Sequence, residues 1–592
     1  MSHSSTLTRT LATALTRHSD HSFGLMGNGN AMLIQHLGEL GVPYTAVRHE
    51  AATVAAADAY TRVSGKLAIA TTTYGAGFTN TLTALAEAAQ ARVPMLVVVG
   101  DAPSSGRRPW DVDQEMLAAA LGVRTHVLSV TNIDRTVDRA AAYARQVRRP
   151  VVLAIPYDLA TAEIVAPEID LNDPATIASL NAAVSDVPVA PAATLGYNTL
   201  DSVYPTMPAA HQLTAAAQIL ADAQRPVILA GRGAHLSGAA AVLGQLAENL
   251  GALTATTALA RSLFPDARYD LGVTGGFGQD LAMAKIAEAD AVVVVGASLN
   301  QFTMRFGDLF GPGTNVIRID AEQVEAPKTN EPITHTVLQG DARLTVSALL
   351  TELAFNEPSG WREQTLGLEA GGTLRVRDDG FAEHPYGVCP DGRLDPRSVA
   401  ARLEALLPVD RHVTNDGGHF IGWANTRWHV ASPERMVMVG TAYQTIGLGF
   451  PTVAGVAAAA PASTVVLSTG DGGGLMALAD LETAIRTAPS CVIVVWNDGA
   501  YGAEVHLYGA MGLDERPMLI PDVDFAGLAT ALGAVGVRVE SLDDLAALET
   551  WTAAGARGTI LLDCRVSRSV VAEYQREIQR VNGVGVSEAP SE

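Results

Sequence analysis

A chain of 592 residues is too long for one ordinary core; it predicts three to four domains of roughly 150 to 200 residues, and 48% hydrophobic residues suffice to fill them. A formal charge of −22, from 40 Lys and Arg against 62 Asp and Glu, excludes a nucleic-acid or anionic-membrane surface unless charge is strongly segregated, and no basic stripe appears. The three cysteines, Cys389, Cys491 and Cys564, have no metal-type spacing, which argues against a disulfide framework or a zinc site and fits a reducing cytoplasm.

Residues 1–20 form a Ser/Thr-rich arm interrupted by Arg9, Arg17 and His18, without the apolar core of a signal peptide. No apolar run approaches the ~20 residues needed to span a bilayer, so the chain reads as soluble. Three segments follow, each repeating a β-branched run that ends in glycine or a small polar residue and leads into an Ala-rich helical stretch. Strands alternating with helices predict parallel sheets.

The first segment predicts strands at 67–72, 95–100 and 151–155, with a helix over 79–91. Residues 166–210, rich in Pro, Asn, Asp and Ala, read as a surface linker. The second segment predicts strands at 226–230, 291–295 and 316–319. Residues 357–395, with several glycines, Pro385 and Pro390 and little periodicity, read as a long connection or lid. The third segment predicts strands at 411–414, 464–468, 492–496 and 559–563, and the last residues from about 582 read as a frayed tail.

The most informative residues close the strand at 464–468. Gly470-Asp471-Gly472-Gly473-Gly474 places a carboxylate at the strand's carboxyl end and three glycines at the start of a helix expected to run to about Thr487. Glycines there let main-chain N–H groups approach a phosphate, and the helix N-terminus favours its charge. A carboxylate in the same turn suits a hard cation, which points to magnesium bridging a diphosphate. The next strand delivers Asn497-Asp498-Gly499-Ala500-Tyr501-Gly502 to the same edge. Taken alone, Gly-Asp-Gly is a turn and Asp498-Gly499 a hairpin signal. Strand context, the 27-residue interval from Asp471 to Asp498 and the Tyr-Gly sequel carry the reading further.

Together these residues resemble the thiamine diphosphate-dependent enzymes, acetolactate synthase-like, of the 2-oxo acid decarboxylase and carboligase superfamily. The resemblance implies an α/β protein of three doubly wound parallel-sheet domains. These are an arm at 1–20, a pyrimidine-binding domain at 21–185, a linker at 186–210, a central domain at 211–356, a linker or lid at 357–394, a diphosphate-binding domain at 395–580 and a tail at 581–592. The metal would be Mg2+, held by Asp471, Asp498 and the Ala500 carbonyl; Asn497 with the Gly499 carbonyl is the poorer register. The usual residue at the Asp498 position is asparagine. A second carboxylate makes the site more negative, so it should hold the cation more strongly and tolerate a different ion.

Other positions follow from the same resemblance. Glu50, in Arg48-His49-Glu50 where a short strand gives way to an Ala-rich helix, matches the carboxylate that hydrogen-bonds the aminopyrimidine ring and activates it. On its own, a Glu at a helix start is usually a dipole-favoured surface residue. Tyr74, Gly75, Thr79 and Asn80 match a Gly-rich turn that brings backbone near the cofactor. Gln114 falls where acetolactate synthases carry an active-site glutamine, and Asn28 lies in the first active-site loop. Gly417, Gly418 and His419 match the diphosphate end, and His419 is placed to donate to a phosphate oxygen, with a satisfied core histidine as the rival. Ile446 matches the apolar wedge that bends the cofactor into a V. Gly470, Gly472, Gly473 and Tyr501 complete the cofactor-binding set. Glu504 and His506 are candidates for proton transfer beside the reacting carbon, although both are also plausible as ordinary helix residues.

The His-His pair of the pyruvate-type decarboxylases is not evident. The leading expectation is therefore a carboligase acting on a 2-oxo acid or diketone, with a decarboxylase or C–C lyase lacking an acceptor as the alternative. A nicotinamide-dependent dehydrogenase ranks low, because no Gly-x-Gly-x-x-Gly turn opens the first domain. In the central domain, Ser298-Leu-Asn-Gln-Phe-Thr replaces the sequence expected of flavin-binding members. FAD is thus the less favoured outcome, and Gly231, Gly233 and Gly296 are readable as packing glycines. The resemblance also implies a homodimer or homotetramer with active sites at the subunit interface, a small carbonyl substrate, and no nucleic-acid or membrane partner.

Overall fold

The computed structural model describes residues 5–164, 206–369, 372–374 and 387–584. The linker expected at 166–210 lies outside the described residues as far as 205, as do 375–386 of the expected lid and the tail from 585.

Three six-stranded sheets follow one another along the chain. A short strand β1 (Ser5–Thr6) precedes the first, which is built from β2 (Ser22–Gly24), β3 (Tyr44–Ala46), β4 (Ile69–Thr72), β5 (Met95–Asp101), β6 (Arg124–Val127) and β7 (Pro150–Pro156). β1 pairs antiparallel with β8 (Glu163–Ile164). The second sheet contains β9 (Pro226–Ala230), β10 (Leu253–Thr256), β11 (Asp270–Val273), β12 (Ala291–Val295), β13 (Asn315–Asp320) and β14 (Thr334–Gln339). The third contains β15 (Arg411–Asn415), β16 (Met436–Met438), β17 (Thr464–Gly470), β18 (Ser490–Asn497), β19 (Val535–Val539) and β20 (Gly558–Arg565).

Every pairing within the three sheets is parallel. The β-branched runs dictate this arrangement, because strands covered by helices on both faces are apolar throughout rather than alternating. Residues 492–495 of β18 and 292–295 of β12 are fully buried. The α/β expectation of three parallel sheets with flanking helices therefore holds. Patterning omitted β2, β10 and the edge strands β6, β11, β14, β16 and β19. β2 and β16 are only three residues long, and β6, β14 and β19 are half exposed, so none shows a continuous apolar run.

The first and third sheets share one strand order, β3-β2-β4-β5-β7-β6 and β16-β15-β17-β18-β20-β19. In each, the chain reverses its direction of travel across the sheet between the first and third strands, β2 and β4 or β15 and β17. Such a reversal opens a crevice at the carboxyl ends, where ligands bind in open α/β sheets. The second sheet, β11-β10-β9-β12-β13-β14, has the order typical of dinucleotide-binding sheets. At its reversal, the Gly233 N–H donates to the Gly296 carbonyl at 2.9 Å, and a Cβ on Gly231 would lie 2.3 Å from that oxygen. These glycines are therefore consumed in packing.

The helix after Gly470 does not run unbroken to Thr487. It covers Asp471–Met476, passes through a tight turn at Leu478–Asp480 and resumes at Leu481–Thr487. Three glycines supply little helix propensity to hold it straight. Among the described residues, no helix is long and apolar enough to cross a membrane.

The chain forms two compact units: the described residues to 164 together with Ala442–Ala459, and the described residues 206–441 together with those from 460 onward. In the first, the helix Gly449–Ala459 lies against the helix Glu50–Ser64 so closely that a Cβ on Gly455 would sit 2.0 Å from the Ala56 carbonyl oxygen. Gly455→Ala is expected to force the helices apart at a cost of about 1–3 kcal/mol. Thermal melting checks this, and an unchanged Tm would refute it.

Candidate active site

Candidate residues fall in both units. In the first, His49 caps the helix Glu50–Ser64, its Nδ1 accepting from the Ala51 N–H at 3.2 Å. Glu50 is the first residue of that helix. Its Oε2 accepts from Asn80 Nδ2 at 2.9 Å, and Oε1 has no partner among the described residues. Thr79 is turned back on its own helix, donating to the Ala76 carbonyl.

Tyr74 and Gly75 follow β4 at the reversal point of the first sheet. Gln114 is buried, and both ends of its amide are engaged: Oε1 accepts from the Gly75 N–H at 2.7 Å and Nε2 donates to the Gly100 carbonyl at 2.8 Å. It thus fastens the Gly75 turn to the end of β5. Tyr74 is covered by a group that sequence reasoning missed. The Arg108 guanidinium stacks 4.3 Å from the Tyr74 ring and 4.7 Å from that of Tyr157, and grips Asp111 through two nitrogens. Asn28 stands exposed in the loop after β2. That loop is tied down by Asn30, which accepts from the Gly27 N–H and donates to the Leu25 carbonyl and Thr71 Oγ1.

Ile446 is half-buried between Gln444, at φ +57°, and Gly447, at φ +82°. The turn is anchored three residues earlier, where the Tyr443 N–H donates to the buried carboxylate of Glu87 at 2.7 Å.

In the second unit, Asp471 follows β17 and Asp498 follows β18, and the two strands lie side by side. Asp471 Oδ1 accepts from the Gly472 N–H and Oδ2 from the Gly499 N–H, both at 3.0 Å. Asp498 Oδ1 accepts from the Ala500 N–H at 3.1 Å. Burial pushes the Asp471 carboxyl up to about 6; burial and then the charge of Asp471 push Asp498 up to about 8. Two neighbouring buried carboxylates resist ionising together.

This donor set fits a hard divalent ion. Among the described residues no three His, Cys, Asp or Glu side chains gather as a metal cluster. Two carboxylates and a main-chain carbonyl would leave other positions of such an ion to phosphate oxygens and water. Gly499 O already accepts from the Ile520 N–H at 2.9 Å, and Asn497 Nδ2 donates to the Val523 carbonyl and to Asp563. A carbonyl oxygen carries two lone pairs and Asn497 would ligate through Oδ1 rather than Nδ2, so both registers are compatible with these contacts.

Glycine is required beside this turn. A Cβ on Gly472 would lie 2.7 Å from the Tyr501 ring, and one on Gly502 would lie 2.9 Å from Asp498 Oδ2. Gly417, Gly418 and His419 follow β15, across the reversal from Gly470–Gly473. His419 is buried; its Nε2 accepts from the Ala572 N–H at 2.9 Å, and its ring centroid lies 4.4 Å from that of His506. Burial holds both imidazoles below the ordinary histidine range, His506 at about 4, and His506 depresses His419 further. Both are therefore neutral near pH 7. They stand 87 residues apart in sequence, and no spacing announced the pairing.

His506 sits in a π-turn, Val505–Gly509, directly after the short helix Gly502–Glu504. Such turns are frequent at functional sites. Glu504 is exposed and lies near Tyr574, whose phenol is held above its ordinary value by burial first and by that charge second.

Comparison with known proteins agrees with this geometry. Three family models match in order: the thiamine pyrophosphate enzyme N-terminal TPP binding domain over residues 5–122, the central domain over 213–349 and the C-terminal TPP binding domain over 416–564. The chain is 30% identical to "Probable 2-ketoarginine decarboxylase AruI" of Pseudomonas aeruginosa, covering 89% of this chain and 88% of that protein. It is 27% identical to an acetolactate synthase of Arthrospira platensis (94% and 93% covered) and 27% identical to a sulfoacetaldehyde acetyltransferase of Castellaniella defragrans (88% and 86%). A thiamine diphosphate-dependent 4-hydroxybenzoylformate decarboxylase from Rhodococcus jostii shares the fold, with a TM-score of 0.72 at 20% identity over 95% of this chain and 99% of that one. The dehydrogenase alternative is set aside by these matches. The chain belongs to the thiamine pyrophosphate enzyme family and is a thiamine diphosphate-dependent enzyme of the acetolactate synthase-like kind.

Proposed function

We propose that this enzyme is a carboligase that joins the acyl part of a 2-oxo acid or diketone to an acceptor carbonyl, using Mg2+ with thiamine diphosphate. The cofactor part of the reading is supported by Asp471 and Asp498, which stand at the carboxyl ends of adjacent strands and are joined through the Gly499 N–H, and the carboligase part by the likeness to acetolactate synthase and sulfoacetaldehyde acetyltransferase. Asp471, Asp498 and the Ala500 carbonyl hold the metal. Gly417, Gly418, Gly470, Gly472 and Gly473 admit the diphosphate, His419 donates to it, and Tyr501 lines the same turn. Bound there, thiamine diphosphate supplies a thiazolium carbon that adds to a carbonyl and takes up the charge released when the neighbouring bond breaks.

The remaining roles belong to this chain's side chains. Glu50, steadied by Asn80, keeps Oε1 for the aminopyrimidine ring nitrogen and moves the proton there. Ile446 is the wedge between the rings. Gln114 acts through Gly75, holding the Tyr74–Gly75 turn beside the cofactor, and Asn28 faces the substrate from its exposed loop. Glu504 and His506 are the groups for proton transfer to and from the substrate-derived atoms; His506, neutral near pH 7, serves as acceptor before donor. The site is completed between two copies of the chain, in a homodimer or homotetramer in the cytoplasm. No role is proposed for FAD.

The second reading, a decarboxylase without acceptor, is favoured by the 30% identity to a protein named as a decarboxylase. Acid-trapped products distinguish the two. With pyruvate alone and with pyruvate plus an aldehyde, a carboligase yields carbon dioxide together with a coupled hydroxyketone. Free acetaldehyde, with no coupled product even when the aldehyde is in excess, would overturn the carboligase reading.

A further inference from the structure

The C-terminal helix Glu573–Val581 and the residue before it grip the backbone of both segments that flank the diphosphate turn. Tyr574 donates through its hydroxyl to the His419 carbonyl at 2.9 Å and the Gly418 carbonyl at 3.3 Å. Gln575 Nε2 donates to the Ala503 carbonyl and Gln579 Nε2 to the His506 carbonyl. Within this grip, one contact reaches a side chain that matters chemically: the Ala572 N–H points at His419 Nε2 at 2.9 Å.

A main-chain N–H only donates, so Nε2 must be the bare, accepting nitrogen of the ring. A neutral imidazole then carries its proton on Nδ1. A second proton would set N–H against N–H at Ala572 and place a charge in a buried pocket whose neighbour, at 4.4 Å, is another imidazole. A phosphate oxygen accepts and does not donate, so a ring in the other tautomer would turn a lone pair toward it.

We propose that the Ala572 N–H positions His419 by fixing its tautomer, so that the ring meets a diphosphate oxygen as a neutral Nδ1–H donor. This rests on reading His419 as a cofactor contact. Ala572 is a positioning residue, acting through the histidine.

The backbone permits a narrow test. Ala572 has φ −67°, the angle a proline ring imposes, and stands just outside the helix. Ala572→Pro deletes the N–H and sets the ring Cδ in its place against His419 Nε2, so it also pushes the histidine aside, while Ala572→Gly keeps the N–H. Full-length protein labelled with 15N-histidine is examined by imidazole 15N NMR, the His419 signal being the one missing in His419→Gln. Thiamine diphosphate affinity is measured by fluorescence titration at saturating Mg2+.

Wild type and A572G are expected to show the Nδ1–H tautomer, and A572P the Nε2–H form or a mixture. A572P should bind the cofactor at least about tenfold more weakly, the worth of one hydrogen bond to a charged group, with displacement of the ring adding to the loss. H419Q should bind nearly as wild type, because its amide can accept from Ala572 and donate to phosphate, whereas His419→Leu should not. An Nε2–H ring in wild type, or an unchanged tautomer in A572P, overturns the proposal and leaves the cofactor-contact reading standing. A switched tautomer with unchanged affinity overturns that reading and the proposal with it. Should A572P fail to fold, the wild-type tautomer and the contrast between H419Q and H419L still decide.

Discussion

Glu50→Gln is expected to lower kcat by about 10²–10⁴-fold, the range of a lost general acid–base group, while the affinity for thiamine diphosphate changes little. The argument starts from one side chain with two oxygens. Asn80 Nδ2 takes Oε2 at 2.9 Å, and glutamine can keep that contact through its amide oxygen. The other oxygen becomes an NH2 group, able to donate but unable to exchange the proton at the aminopyrimidine ring. Geometry survives and chemistry does not. Steady-state rates with saturating cofactor test this, together with cofactor titration and the rate of hydrogen–deuterium exchange at the thiazolium carbon. Turnover and exchange at wild-type rates would remove Glu50 from the mechanism.

The neighbouring turn explains why the effect should be specific. Gln114, which the motif placed in the active site, spends both ends of its amide on Gly75 and Gly100. Its replacement loosens the backbone beside the cofactor, which raises the requirement for cofactor rather than removing a proton-transfer step. The two side chains are thus separable: Glu50 by kcat, Gln114 by affinity.

How much of this was legible in the chain depends on whether a feature is local. The buried strands β5, β9, β12, β17, β18 and β20 write themselves as β-branched runs, because both of their faces are covered. The edge strands β6, β14 and β19 face solvent on one side and carry no such run. The Asp471 and Asp498 turns were legible because each is a strand end followed by glycine, and adjacent parallel strands bring their carboxyl ends together. The partners of His419 were not. Ala572 and Tyr574 lie more than 150 residues further on, at the start of a helix whose sequence reads as an ordinary amphipathic surface. The stack of Arg108 on Tyr74 and Tyr157 was hidden for a similar reason, since a guanidinium and two phenols scattered over three loops have no spacing to recognise.

The two carboxylates proposed to hold the metal should separate sharply when each is changed to its amide. Asp471 uses both oxygens, taking the Gly472 and Gly499 N–H groups, so it joins the β17 turn to the β18 turn as well as carrying charge. In Asp471→Asn the new NH2 faces one of those N–H donors, the turn opens, and half the negative charge offered to the cation is gone. Cofactor with Mg2+ is expected to bind at least about 100-fold more weakly, beyond the range seen for outer partners of a metal site. The thermal stabilisation conferred by cofactor and metal, about 2.7 kcal/mol at a hundred times Kd, should vanish with it. Among the described residues Asp498 takes the Ala500 N–H alone, and its carboxyl is pushed higher than that of Asp471, to about 8, by burial and by Asp471. Asp498→Asn keeps an oxygen for the metal and relieves a like-charge pair that costs stability whenever no cation is present. Its metal-free Tm should therefore rise, with Mg2+ affinity falling by only about tenfold, one pKa unit's worth of interaction. Melting curves with and without Mg2+ and thiamine diphosphate, run on both variants, test the pair. Equal losses in the two, or a D471N protein still stabilised by cofactor, would mean that the cation is held elsewhere.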